Sequence, residues 1–359
     1  MRYPEFLQNG GTIGFPAPSF GCSTEPYSTR FDAALERFSE WGYKLNPGPN
    51  SRAGEGIGIS AAPAKCGKEL TDMYLDPAND VLIACGGGEL MCEILEHVDL
   101  GAMKHATPKW IMGYSDITNI VHPLLTLCDT ASIYGPCAPA FGIRELHDSV
   151  SSAFDILRGR LSQVHSYDLH EKFFYDEEPV AEDSPEPDPF EKYKLTEKSL
   201  KAVYDGKKYY PSGEYKGELE FSGRLIGGCM DCLVNLIGTP FEDTKGFLDR
   251  YEKDGVIWCL ESCDLNVFDI RRAMWHMEKA EWFRKGIVKG FIFGRPYNGQ
   301  DMMGLTHIGS VMPYVEKYGV PALLDADLGH VYPAMPIVIG SIGHVKVSGN
   351  DVKLQMEFA

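Results

Sequence analysis

No stretch of this 359-residue chain approaches the ~18 consecutive apolar residues that a membrane-spanning helix needs. Residues 1–19 lack a basic region followed by an apolar core, so no secretory leader is expected and the cytoplasm is the expected compartment. Positive charge is scarce: 34 Lys and Arg stand against 51 Asp and Glu, a net charge of −17. Such a field repels phosphate backbones and argues against a nucleic-acid partner. The glycine run Gly86-Gly-Gly88 is not followed by a Lys-Ser/Thr pair and lacks Gly-x-Gly-x-x-Gly spacing, which disfavours a nucleotide loop. The ten cysteines form no disulfide framework and are expected to be reduced. Cys229 with Cys232, and Cys259 with Cys263, have the spacing of zinc half-sites. Each pair sits in an apolar segment without further ligands, so these are read as core residues, and neither metal nor other cofactor is expected.

What the chain does have is apolar bulk and turn residues. It is 44% hydrophobic with 38 glycines, enough for a core divided over two domains. Residues 12–15 read as a strand. Phe31, Ala34, Leu35 and Phe38 share one helix face. Thr29 with Asp32 would cap that helix, and Gly42 would follow it. A strand at 43–45 and a helix at 69–75 come next. Residues 81–85 form an apolar run without alternation, as in a strand covered on both faces. It enters Gly86-Gly-Gly88, and a helix resumes at 90–95. A buried strand at 110–113 leads into a helix at 116–127. The alternation predicts a parallel sheet flanked by helices.

The pattern breaks after about residue 160. Residues 171–191 hold nine acidic residues and four prolines, a composition that orders itself poorly; a linker or surface excursion is expected over 166–210, with an ordered loop as the alternative. Beyond 211, a strand at 224–228 runs into a helix ending at Leu236, and a strand at 256–260 ends at Glu261. Ile270, Ala273, Met274 and Met277 mark a helix face. Short strands follow at 290–294, 322–324 and 337–340. A hairpin of 344–347 with 352–358, turned at Gly349-Asn350, closes the chain. The expected class is α/β: an N-terminal parallel-sheet domain over 1–165 and a smaller C-terminal α/β domain over 211–359, rich in short strands.

Ser115 lies just past a buried strand and just before a helix. Open α/β sheets bind ligands at that end, and helix N–H groups there would hold an oxyanion. The address suits a nucleophile elbow, whose Gly-x-Ser-x-Gly pattern is met except at Ile117. The alternative is a helix cap by Ser115 or Asp116. Gly86-Gly-Gly88 has the same address on a neighbouring strand. An oxyanion hole would take one N–H from Gly87 and one from Asp116; a plain strand–helix turn is the alternative. Ten histidines could supply a base. His122 and His276 fall within helices, as packed histidines do. His330 lies in a loop beyond a strand end, Asp325-Ala-Asp-Leu-Gly-His330, a better catalytic address. Glu261 ends a strand and could fix an imidazole tautomer, or serve as a cap or surface acid.

Several of these segments resemble the LD-carboxypeptidase family of serine peptidases, which includes microcin C7 immunity proteins. The resemblance rests on Gly11-Thr-Ile-Gly-Phe-Pro-Ala-Pro-Ser19, Ala84-Cys-Gly-Gly-Gly88, Gly113-Tyr-Ser-Asp-Ile-Thr118, Gly227-Gly228 with Leu236-Ile-Gly-Thr-Pro240, Leu260-Glu261, and Gly329-His330 with Pro336-Ile-Val-Ile-Gly340. It implies a Ser-Glu-His triad of Ser115, Glu261 and His330, no metal, a homodimer, and a site near the domain junction. The implied substrates are muropeptide tails cut at an L-to-D amide bond, or microcin-type aminoacyl nucleotides. Either carries a carboxylate or phosphate, for which Arg271, Arg272 or Arg295 are candidate contacts, beside Gly86, Gly88 and Cys229. Two positions depart from the family: Cys229, where Asn is frequent, and Cys85, where Arg is common. Both leave the triad intact and the substrate open. The competing expectation is a non-catalytic binding protein that kept the cleft.

Overall fold

The computed structural model describes residues 1–173 and 188–358. Most of the acidic stretch therefore lies outside the described residues. Two sheets organise the rest. The first has six strands, in the order Ile337–Ile339, Ser132–Tyr134, Ile111–Gly113, Val81–Ile83, Thr12–Phe15, Lys44–Pro47. All pairings are parallel except that of Ile337–Ile339 with Ser132–Tyr134. Its strands Val81–Ile83 and Ile111–Gly113 are buried throughout, as expected of strands covered on both faces, and so is Ser132–Tyr134.

The second sheet has nine strands and is mixed. Its centre is parallel, with Glu218–Cys229, Val256–Glu261, Val288–Gly294 and Ala322–Ala326 side by side. The hairpin Ile342–Ser348 with Asp351–Glu357 extends one flank. By strand count the C-terminal sheet is thus the larger. The two sheets also exchange strands. Gln163–His165 joins the second sheet beside the hairpin, while Ile337–Ile339 crosses back into the first. The described parts of 166–210 are strand-bearing rather than linker-like: Leu169–His170 pairs with Glu197–Lys198, and Ala202–Tyr204 pairs with Ala322–Ala326.

Local differences have local causes. The first helix is Tyr27–Glu40, which begins ahead of the expected Thr29 cap and has no side-chain cap. Phe31, Ala34 and Phe38 are its buried face. The second helix starts at Pro63, well before residue 69; proline suits a first helical position because its missing N–H would have no partner there. Residues Met91–His97 form a 3-10 helix rather than an α-helix. The ten cysteines are free thiols; Cys92 and Cys263 are half-buried and the others buried. Among the described residues no three His, Cys, Asp or Glu side chains cluster as metal ligands, and no helix is long and apolar enough to cross a membrane.

The halves meet through aromatic packing. His122, on the helix Thr118–Thr126, stacks on Trp282 at 5.0 Å, and Trp282 stacks on Trp258 at 5.7 Å. Burial pushes the His122 imidazole down to about 3, so it stays neutral and behaves as core. Gly227 and Gly228 let the strand Glu218–Cys229 pass close by. A Cβ at Gly227 would lie 1.9 Å from the Cys259 carbonyl oxygen, and one at Gly228 2.8 Å from Thr118 Oγ1.

Candidate active site

Ser115 follows the strand Ile111–Gly113 with a φ of 62°. A non-glycine residue held in this left-handed region costs about 1–3 kcal/mol. Gly113 makes room for the turn, since a Cβ there would lie 2.9 Å from the Ile117 side chain. A single 3-10 turn, Ser115–Ile117, precedes the α-helix Thr118–Thr126. Neither Ser115 nor Asp116 caps that helix through its side chain, which removes the helix-cap alternative.

Ser115 Oγ instead lies 2.9 Å from His330 Nε2, and His330 Nδ1 donates to Glu261 Oε2 at 2.7 Å. The three residues, up to 215 positions apart, come from three strand ends. Glu261 ends Val256–Glu261, and its side chain is fully buried; the His330 side chain is 12% exposed. Gly329 is required before the histidine: its φ is 98°, and a Cβ there would lie 2.3 Å from Glu261 Oε2. Burial alone would depress the His330 imidazole, but the Glu261 carboxylate, with Cys263 beside it, outweighs it and holds the ring well above its ordinary value. Burial likewise pushes Glu261 up, and His330, with hydrogen bonds from His330 and Tyr134, brings it below the ordinary carboxylate value.

Gly87 packs directly on the serine, with a built Cβ 3.0 Å from Ser115 Cβ and 3.2 Å from Oγ. Gly86 abuts Phe20, and Gly88 abuts Ser19 and Gly58. The glycine turn thus wraps the serine and the Ala-Pro-Ser turn, and a 3-10 helix follows it rather than the α-helix a phosphate cradle would use. The carboxylate of Asp116 organises these loops. It accepts from Ser19 Oγ at 2.5 Å, the Met91 N–H at 2.9 Å and Asn119 Nδ2 at 2.7 Å. Burial pushes it above its ordinary value, and these neutral donors only partly offset that.

The histidine loop has a different anchor. Asp327 accepts from Lys201 Nζ at 2.8 Å, Ser199 Oγ at 2.7 Å, the Tyr167 N–H at 2.8 Å and the Arg295 guanidinium. Burial raises this carboxyl, but Arg295 and Lys201 outweigh it and hold it below the ordinary value.

The residues expected to contact substrate make the following contacts within the protein. Arg295 is buried against Asp327. Arg271 donates to the Gly309 carbonyl at 3.0 Å and lies over the Tyr314 ring. Arg272 pairs with Asp269 on its own helix. Cys229 is buried, paired in register with Glu261, with its thiol 3.3 Å from Asp231. Each of the four is occupied within the protein. Cys85 is buried too, its thiol 3.5 Å from the Phe15 carbonyl.

The pattern of the LD-carboxypeptidase N-terminal domain matches residues 13–135, and that of the LD-carboxypeptidase C-terminal domain matches residues 222–345. The chain belongs to the LD-carboxypeptidase family. Among relatives of this family, a putative carboxypeptidase of Vibrio cholerae is 22% identical over 99% of this chain and 98% of its own length. A probable murein peptide carboxypeptidase of Bacillus subtilis is 24% identical over 94% of this chain and 89% of its own. The solved structure of MccF in complex with glutamyl sulfamoyl guanosine superposes with a TM-score of 0.73 at 20% identity, covering 99% of this chain and 98% of that one. It shares the fold. In LD-carboxypeptidase terms, Ser115 lies in the N-terminal match, and Glu261 and His330 lie in the C-terminal one.

Sequence reasoning missed Tyr134, Ser19 and the Asp327 cluster. The Tyr134 phenol donates to Glu261 Oε1 and accepts the Ser115 N–H at 3.0 Å. It too ends a strand of the first sheet, so the strand-end criterion that picked out Ser115 would have reached it.

Proposed function

We propose that this chain is a serine carboxypeptidase that hydrolyses an L-to-D amide bond of a muropeptide tail through an acyl-enzyme. The observation that carries the reading is the unbroken contact chain Glu261–His330–Ser115 on a left-handed serine. His330 Nε2 takes the Ser115 hydroxyl proton as Oγ attacks the substrate carbonyl. Glu261 holds the Nδ1–H and stabilises the imidazolium. The N–H groups of Gly87 and Asp116 face the developing oxyanion, each contributing roughly 3–4 kcal/mol. His330 then protonates the leaving amine, and a water activated by the same ring releases the acid and frees the serine. The choice of muropeptide rests on the family and on the Bacillus relative.

The test is hydrolysis of three compounds: a tetrapeptide ending in D-Ala, its all-L counterpart, and an aminoacyl sulfamoyl adenosine. The expected outcome is release of D-Ala from the first alone. Cleavage of the third would move the reading to a microcin-type hydrolase. Ser115→Ala, with an unchanged circular dichroism spectrum, is expected to lose activity by about a millionfold; full activity in that variant would sink the mechanism. Only neutral His330 can accept the proton, and Glu261 raises its pKa. The acidic limb of kcat/KM is therefore expected above the ~6.5 of free imidazole. A limb at or below that value would contradict the coupling to Glu261.

A further inference from the structure

Tyr134 touches two members of the contact chain at once, from a position that belongs to neither. It ends the strand Ser132–Tyr134, which runs parallel to the nucleophile strand with Gly113 opposite Tyr134. Its side chain is nearly inaccessible, at 3% exposure. The hydrogen-bond directions are fixed by inventory. The Ser115 N–H can only donate, so the phenol oxygen accepts it at 3.0 Å. The Glu261 carboxylate can only accept, so the phenol proton goes to Oε1. Burial, reinforced by Glu261, holds the phenol well above its ordinary pKa, so that proton stays in place. The phenol therefore ties the backbone of the nucleophile, in the first sheet, to the acid of the second.

We infer that Tyr134 is a positioning residue of the hydrolytic site, setting the Ser115 backbone against Glu261 and tempering the charge that Glu261 presents to His330. The inference rests on the triad reading above. Two consequences follow from the bonds. The Ser115 N–H is committed to Tyr134, which leaves the oxyanion to donors from Gly87 and Asp116. Glu261 also shares its charge between two donors, the imidazole on Oε2 and the phenol on Oε1. Removing the phenol proton leaves Glu261 a stronger partner for the imidazolium, so His330 would hold its proton to higher pH. The other titratable groups facing His330 are Tyr114, whose ring lies 5.2 Å away, Cys263 and, further out, Glu89. Tyr134 hydrogen-bonds none of these three.

The experiment follows the rate at which a fluorophosphonate labels Ser115 as a function of pH, so no knowledge of the natural substrate is needed. In Tyr134→Phe the plateau rate is expected to fall about ten- to a hundredfold, the loss of one charge-assisted hydrogen bond. The acidic limb should move to higher pH. A second variant, with 3-fluorotyrosine at position 134, keeps the ring and strengthens its donor; its limb should move to lower pH. A loss of thermal stability with both limbs unmoved, or unchanged labelling in Tyr134→Phe, would overturn the inference and make Tyr134 mere packing. If the wild-type protein is not labelled at all, the triad reading fails instead, so the two failures are distinguishable.

Discussion

Asp116, one residue past the serine, and Asp327, three residues before the histidine, are both buried carboxylates, and they are held in opposite ways. Asp116 is surrounded by neutral donors: a hydroxyl, an amide and a backbone N–H. Asp327 is clamped between Lys201 and Arg295. Burial penalises charge at both, and only the second has cations to overturn the penalty. One carboxyl is therefore raised and the other lowered. The serine side is fastened by directional hydrogen bonds among loops of one sheet. The histidine side is fastened by ion pairs, one of which reaches into the 166–210 segment.

Substitution tests that contrast, and the largest effect is expected at Asp327. Asp327→Asn leaves Lys201 and Arg295 buried without the carboxylate they share, a loss of about 3–5 kcal/mol readable from the urea midpoint. Asp116→Asn keeps one acceptor and turns a donor toward groups that need acceptors, so about 1–3 kcal/mol is expected. The pH dependence should separate the two further. A raised Asp116 pKa means its contribution is fully present below the unfolded value of about 3.9 and is lost as pH rises through the folded pKa. A lowered Asp327 pKa means its contribution is present above about 3.9 and is lost as pH falls through the folded pKa. Equal losses in the two variants, with parallel pH curves, would erase the distinction. The smallest effect is expected at Arg272→Ala. Its exposed pair with Asp269 is worth less than about 0.5 kcal/mol, and KM for the tetrapeptide should stay within twofold. A large rise in KM would make Arg272 a substrate contact.

The residues of the proposed site were legible wherever position along a strand carried the meaning. Ser115, Glu261 and His330 were each found as groups just past a strand end, and the glycine turn likewise. Their mutual approach was implied only by the family resemblance, because Glu261 and His330 are 69 residues apart and no local period links them. The partners of the arginines were not readable, because sequence shows a charge but not its partner; Asp269 and Asp327 pair with two of the three. The fold class was readable from alternating strands and helices. The destination of Ile337–Ile339 was not, since three buried apolar residues fit either sheet equally well.

That short strand has a mechanical consequence. The histidine loop leaves the second sheet at Ala326 and is next pinned in the first sheet at Ile337. The polypeptide around His330 is thus a strap anchored to both bodies, with the serine on one and the glutamate on the other. Any rotation of one sheet against the other must stretch or slacken this strap. The alignment of the imidazole is therefore a gauge of how the halves are set, and loosening the seam far from Ser115 should part the serine–histidine contact before it unfolds the chain.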